Sequence, residues 1–251
     1  MTTSAVAPPS AAEDQPLTTA FNRTTVGIIS LVVLVAFEAM AVATAMPVAA
    51  RELDGLELYA WAFTGFLIAA LFATAVAGQV CDRIGPTLPF VAGVAVFLVG
   101  LVVAGSAPAM WPFVLGRMIQ GLGGGTVIVA LYVVVARAFD ESVRPRVFLF
   151  MSAAWIVPSI VGPLVAGAVT EQMSWRLVFW GLVPFVVVPV LLTAPALRRL
   201  PRVEGERRPS RVLLALAVAV GAAALQYGGQ RAERADWVVA GVALAVGVVL
   251  V

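Results

Sequence analysis

Two charged side chains stand where the sequence leaves little room for charge: Glu38 within LVVLVAFEAMAVATAMP and Arg117 within WPFVLGRMIQGLGGGT. An ionisable group at the centre of an apolar span costs about 3 kcal/mol to insert, so such groups are rare and turn toward a partner or a watery cavity. A carboxylate so placed is suited to carrying a proton. Desolvation favours its neutral form and a neighbouring cation its charged form, so its protonation can follow whichever side of a membrane has access. The plainer reading is a permanently protonated Glu38 bonded to a nearby carbonyl. Arg117 is the natural counter-charge, unless its long stem snorkels to the surface. Glu38 lies nine residues before Pro47 and Arg117 six after Trp111, depths of about 13 Å and about 9 Å at the helical rise. In antiparallel helices the two can meet, and Arg117 would then hold the Glu38 charge in one conformation and release it in another.

Other residues suggest supporting roles. Gln120, one turn beyond Arg117, and Trp155, Gln226 and Tyr227 are candidates by position for a substrate cavity. GLGGG lacks the lysine and the preceding strand of a phosphate loop, so Gly121 and Gly123 are expected to let helix backbones approach closely. Pro158, Gly162, Pro163 and Gly167 in PSIVGPLVAG combine a kink with a close-packing face. In GQVCDRIGP, Gly78 and Gly85 permit a tight turn, Asp82 can cap a helix or pair with an arginine, and Arg83 can reach a phosphate or a neighbouring helix. There is no histidine, and Cys81 is the one cysteine. An intrachain disulfide and a His-based or multi-Cys metal site are therefore excluded. No nucleophile stands beside a base, so neither an enzyme nor a cofactor is expected.

The elements that must position these residues are membrane spans. Of 251 residues, 61% are hydrophobic and 12% charged, with a mean hydropathy of +1.01, against about 25% charged in soluble domains. A spanning helix needs about 20 apolar residues. Segments 26–48, 59–80, 88–106, 111–136, 147–169, 177–197 and 212–227 meet or approach that length, and 237–251 begins an eighth. The first run is too long, and too poorly preceded by basic residues, for a signal peptide. All 16 basic residues are arginines. If residues 1–25, a polar and proline-containing tail, are cytoplasmic, eleven arginines fall on that side (23, 83, 137, 144, 146, 198, 199, 202, 207, 208 and 211) and four outside (51, 176, 231 and 234). That asymmetry orients the N-terminus inward. The domain reading is a tail at 1–25, a six-helix bundle at 26–197, a basic cytoplasmic linker at 198–211, and at 212–251 the start of a second half, ending inside helix 8. The net charge of +2 gives no reason to expect nucleic acid; the lipid bilayer is the expected partner.

Read in order, these stretches resemble the major facilitator superfamily, in particular its proton-coupled drug exporters. GQVCDRIGP resembles the signature GxLaDRxGRR between helices 2 and 3, with Pro86 and Thr87 in place of the basic pair. GRMIQGLGGG resembles the helix 4 signature RxxQGxG through Arg117, Gln120, Gly121 and Gly123; in the family that arginine is implicated in proton transfer. PSIVGPLVAG resembles the helix 5 antiporter signature GxxxGPxxGG, FEAMAVATAMP the helix 1 segment LDxTxVNxALP with Glu38 at its acidic position, and SWRLVF (174–179) the opening of helix 6. The resemblance implies an all-α transmembrane fold of two six-helix bundles, each made of two inverted three-helix repeats, with substrate held between them near the midplane. This chain would supply the N-terminal bundle and the first one or two helices beyond it, and would lack the C-terminal bundle. It further implies a multi-pass plasma-membrane protein exporting small organic molecules, drugs or metabolites, against protons, with residues 78–85 as inner gate and 162–167 as pivot. Alternatives are a proton symporter for a nutrient or metabolite, and a receptor or assembly protein that keeps the fold without flux. Relatives with 14 helices place an extra pair where helices 7 and 8 fall here.

Overall fold

The computed structural model describes residues 23–199, 209–233 and 236–250. The expected tail therefore lies outside the described residues except for 23–25, which are helical, and most of the linker also lies outside them. The elements are α1 (Arg23–Glu52), a 3-10 turn (Leu56–Leu58), α2 (Tyr59–Ile84), α3 (Thr87–Gly105), α4 (Met110–Ala138), α5 (Arg144–Ala153), α6 (Ile156–Gln172), α7 (Arg176–Arg199), α8 (Pro209–Glu233) and α9 (Trp237–Leu250). No strand occurs among the described residues. Seven spans are long and apolar enough to cross a membrane, α5 and α6 together forming the fifth, and α9 is a shorter apolar helix.

Three departures from the expected segments have local causes. The first helix runs through Pro47 to Glu52, because a proline removes a single N–H while the turns on either side keep theirs. It stops where Asp54 adopts φ 48° and Gly55 N–H donates to the Ala50 carbonyl at 3.0 Å, a Schellman-type closure with aspartate in the left-handed position. The fifth span divides after Ala153. Pro158 can offer no N–H to residue 154, and its ring crowds that carbonyl. The seventh continues past Tyr227 to Glu233. There the Arg231 Nε–H donates to Tyr227 Oη one turn back at 2.9 Å, and Gln230 Oε1 accepts from Trp61 Nε1–H of α2 at 2.7 Å.

The bundle is built around α4, which packs on α2 along one side and on α3 along the other. A stripe of small residues on α2 (Ala62, Gly65, Ala69, Ala73, Ala77 and Cys81) is buried against it. Gly121 and Gly125 of α4 lie against the α2 backbone at Phe66 and Ala70, while Gly116 and Gly123 lie against the α3 backbone at Ala104 and Phe97. A Cβ at Gly121 would collide with the Phe66 carbonyl oxygen, which is part of a helix and cannot swing aside. Gly121→Ala should therefore separate α2 from α4 and cost at least the roughly 1–3 kcal/mol typical of overpacking, read as a lowered midpoint of thermal unfolding in detergent.

On the other side, α1 packs against α6 and α7, and α7 also meets α3. Gly162 of α6 brings its backbone against Met40, where a Cβ would sit 2.9 Å from the Met40 Cβ. The α8–α9 hairpin rests on α2. The buried apolar side chains form two clusters. One, toward the Arg23 end, includes Ile28, Leu31, Phe90, Leu131 and Met151; the other, toward the Glu52 end, includes Met46, Leu101, Phe113, Trp175 and Phe179. On α1 the interval between them contains Glu38, and on α4 it contains Arg117 and Gln120.

Candidate functional site

In that interval Glu38 is 0% exposed, Arg117 3% and Gln120 0%. Arg117 Nη1–H donates to Glu38 Oε1 in a direct ion pair, and also to Gln120 Oε1 at 3.0 Å. Gln120 Nε2–H donates to the same Glu38 Oε1 at 3.1 Å, closing a three-membered polar ring. Arg117 Nε–H reaches the Ala62 carbonyl of α2 at 3.4 Å, and the guanidinium carbon lies 4.4 Å from the centroid of the Phe66 ring. Glu38 Oε2 is buried and receives no hydrogen bond. The arrangement engages one carboxyl oxygen of Glu38 and leaves the other without a hydrogen-bond partner.

Backbone packing explains how a charged ring is accommodated. At position 100 of α3 a Cβ would lie 2.5 Å from both Gln120 Cγ and Gln120 N, so the absence of a side chain at Gly100 is what seats the glutamine stem. Ala62 and Phe66 stand one turn apart on α2, on the face turned to α4. Among the described residues Glu38 and Arg117 are the buried charged side chains.

Apart from Gln120, the remaining candidates separate from this ring. Gln120, expected in a cavity, is wholly enclosed, because its amide satisfies Arg117 and Glu38 at once. Trp155 is exposed at the α5–α6 break. Gln226 lines a polar pocket of about 400 Å³ between α2 and α8 with Glu57, Tyr59, Gln230 and Glu233. Tyr227 is exposed and paired with Arg231 of its own helix. Gly78 lies within α2 with open space beside it, so it contributes nothing to the turn. The turn depends on Gly85, whose φ of 83° few other residues adopt. Asp82 is exposed and Arg83 half-buried, and the link across this end is instead Arg137 Nη2–H of α4, donating to the Cys81 carbonyl at 3.5 Å. A Cβ at Gly167 would meet Thr44 Cγ2 only at an ordinary 3.8 Å, and Pro163 lies inside α6.

A second polar assembly joins helix ends. Trp175, 1% exposed, donates its Nε1–H to Glu52 Oε2 at 2.8 Å. Arg176 pairs with Glu52 Oε1 at 3.6 Å and donates to the Gly105 and Ala107 carbonyls at 3.3 and 2.7 Å, so α1, α3 and α7 are tied together. Glu52→Ala leaves the indole N–H without its acceptor, at a cost of about 1–3 kcal/mol. Glu52→Gln, which keeps an oxygen there, should recover most of the loss in the same unfolding measurement. Spacing within one helix could not reveal this assembly, because its members come from three spans. Phe66 had a usable signal: it lies seven residues into α2, as Arg117 lies seven into α4, and both helices begin at the same end of the bundle.

Comparison with known proteins places these features in a wider group. A family model described as Major Facilitator Superfamily matches residues 28–251. The multidrug transporter protein MdtP of Bacillus subtilis (strain 168) is 26% identical over 180 residues, 70% of this chain and 33% of that protein. The multidrug efflux pump SdrM of Staphylococcus aureus (strain N315) is 25% identical over 169 residues, 67% of this chain and 38% of the pump. Among solved structures, the POT family transporter PepTSo superposes with a TM-score of 0.66 at 15% identity, over 92% of this chain and 51% of the transporter. The chain thus spans a third to two fifths of these curated relatives and about half of that structure.

Proposed function

The chain belongs to the Major Facilitator Superfamily, and from that premise we propose that it forms the first bundle of a proton-coupled exporter of small organic molecules. The observation that carries the reading is the enclosed Glu38–Arg117–Gln120 ring, a titratable carboxyl group held against a fixed cation between two apolar clusters. A pairing of this kind at the bilayer midplane is costly to retain without a task. Export, rather than uptake, is favoured by the likeness to MdtP and SdrM, whose names describe multidrug transport and efflux.

In the proposed cycle Glu38 accepts a proton at Oε2 when the cavity opens outward, and substrate leaves on that side. Loss of the proton to the cytoplasm, when the cavity opens inward, restores the full charge-assisted contact with Arg117. A second bundle would complete the cavity wall, with the contact of α6 and α1 at Gly162 as a close-packed pivot and the Gly85 turn beside the inner gate. The arginine asymmetry supports a cytoplasmic N-terminus, and the proposed location is the plasma membrane.

The test is substrate movement in proteoliposomes holding the transporter that includes residues 1–251, under an imposed pH gradient and without a membrane potential. Movement of a lipophilic dye against the proton gradient supports exchange. Co-movement of substrate with protons would assign a symporter, and binding without flux would assign a receptor.

A further inference from the structure

We infer that Arg117 is the stationary member of the buried pair and Glu38 the mobile one, with Gln120 and Phe66 as positioning residues that retain the guanidinium when the carboxyl group is neutral. The inference deepens the proposed coupling reading and rests on it for its functional meaning. Its basis is an asymmetry in how the two partners are held.

Apart from Glu38, three groups hold Arg117, and none of them titrates: Gln120 Oε1, the Ala62 carbonyl and the Phe66 ring face. Gln120 belongs to Arg117's own helix, while Ala62 and Phe66 belong to α2. That helix packs on α4 nearly backbone to backbone at Gly121 and Gly125, so the whole cradle is one rigid unit. A cation over an aromatic face is attracted by the ring quadrupole, most strongly when desolvated, and the amide and carbonyl bonds are independent of any proton on Glu38.

Glu38 has no such reserve. Its Oε1 is bonded to Arg117 and Gln120, both on α4, and its Oε2 to nothing. The α1 backbone packs mainly against α6 and α7 and meets α4 only sparingly, so the polar ring is the principal tie between α1 and α4 at this depth. Protonation makes the Gln120 bond an ordinary neutral one and strips the Arg117 bond of its charged acceptor, so both contacts to Glu38 weaken. The tie that weakens is therefore the one to α1, while Arg117 stays in the α2–α4 cradle. Among the described residues no other charged side chain is buried: α2 presents Ala62 and Phe66, α3 presents Gly100 to Gln120, α6 presents Gly162 to α1, and α7, which also packs on α1, carries no titratable residue between its terminal arginines.

The experiment is solid-state NMR of the chain in lipid bilayers with 15N-labelled arginine, following the Arg117 side chain, assigned by its loss in Arg117→Gln. Glu38→Gln mimics the neutral carboxyl group. In that background the Arg117 signal should stay rigid, with an order parameter of about 0.85. Adding Gln120→Leu or Phe66→Leu should let it average to below about 0.6, whereas Phe66→Tyr, which keeps a ring face, should leave it rigid. With Glu38 intact and ionised, Gln120→Leu alone should leave it rigid as well, a dependence on the state of Glu38 that a merely structural role would not show. Averaging of Arg117 in Glu38→Gln alone, or rigidity in both double variants, would overturn the inference. Because the readout is side-chain motion, it can fail while proton-coupled flux survives, and it can hold where flux is absent.

Discussion

Arg117→Leu should destabilise the bundle by about 3–5 kcal/mol, the range for removing one member of a buried ion pair, and Glu38→Leu alone should do nearly the same. The reason lies in what is left behind. Without Arg117 the carboxylate of Glu38, 0% exposed, keeps one donor from Gln120 and an Oε2 with none. The double variant Glu38→Leu/Arg117→Leu leaves neither charge, and replacement of a buried pair by apolar groups is often neutral or stabilising. It should be more stable than either single variant by several kcal/mol, measured as unfolding midpoints in one detergent. Gln120 would then be the polar side chain left in the interval, and Gln120→Leu in the double background should stabilise further. If the double lost the sum of the two single losses, the two charges would not be energetically coupled.

Glu38→Gln has the largest expected effect on transport. The amide keeps the volume and one acceptor oxygen, so the ring with Arg117 and Gln120 can persist and the fold should survive. What it cannot do is gain or lose a proton. In the proposed exporter, pH-gradient-driven accumulation should fall to the level of empty vesicles, while dye binding and gradient-free equilibration persist. Glu38→Asp keeps the titratable group on a stem one methylene shorter, about 1.5 Å at the carboxylate, and should retain partial coupling. Full coupling in Glu38→Gln would exclude this residue as the carrier.

Much of the architecture was legible because a span must be a long apolar run, and each of the eight expected segments has a helical counterpart. The ends were less so. The first expected segment ends at residue 48, just past Pro47, yet the helix continues to Glu52; Pro158 is expected to kink its helix, and just ahead of it the span divides. The difference lies in tertiary support. Beyond Pro47 the last turn of α1 is held by the Asp54–Gly55 closure and by Glu52, which accepts from Trp175.

At the site, Glu38 and Arg117 were visible because charge inside an apolar run is conspicuous, and counting residues gave their depths. The enclosure of Gln120 was not visible, since it depends on Gly100 of another helix offering a seat. The Phe66 ring face is signalled only by its depth in α2, which matches that of Arg117 in α4, and aromatic residues are common enough in spans to mask that signal. Position alone marks Gln226 and Tyr227 as cavity candidates, but α8 rests on α2 and carries them into other contacts.

The central claim is that an enclosed carboxyl group at position 38 exchanges a proton while Arg117 stays beside it. The most direct measurement is infrared difference spectroscopy of the chain in lipid bilayers as the bathing pH is stepped from alkaline to acid. A carboxylic-acid stretching band should appear on acidification in the wild type, be absent in Glu38→Gln, and change frequency in Gln120→Leu, whose amide touches the same oxygen. A band set that is identical in the wild type and Glu38→Gln across the whole pH range would contradict the account, because Glu38 would then never change its protonation state.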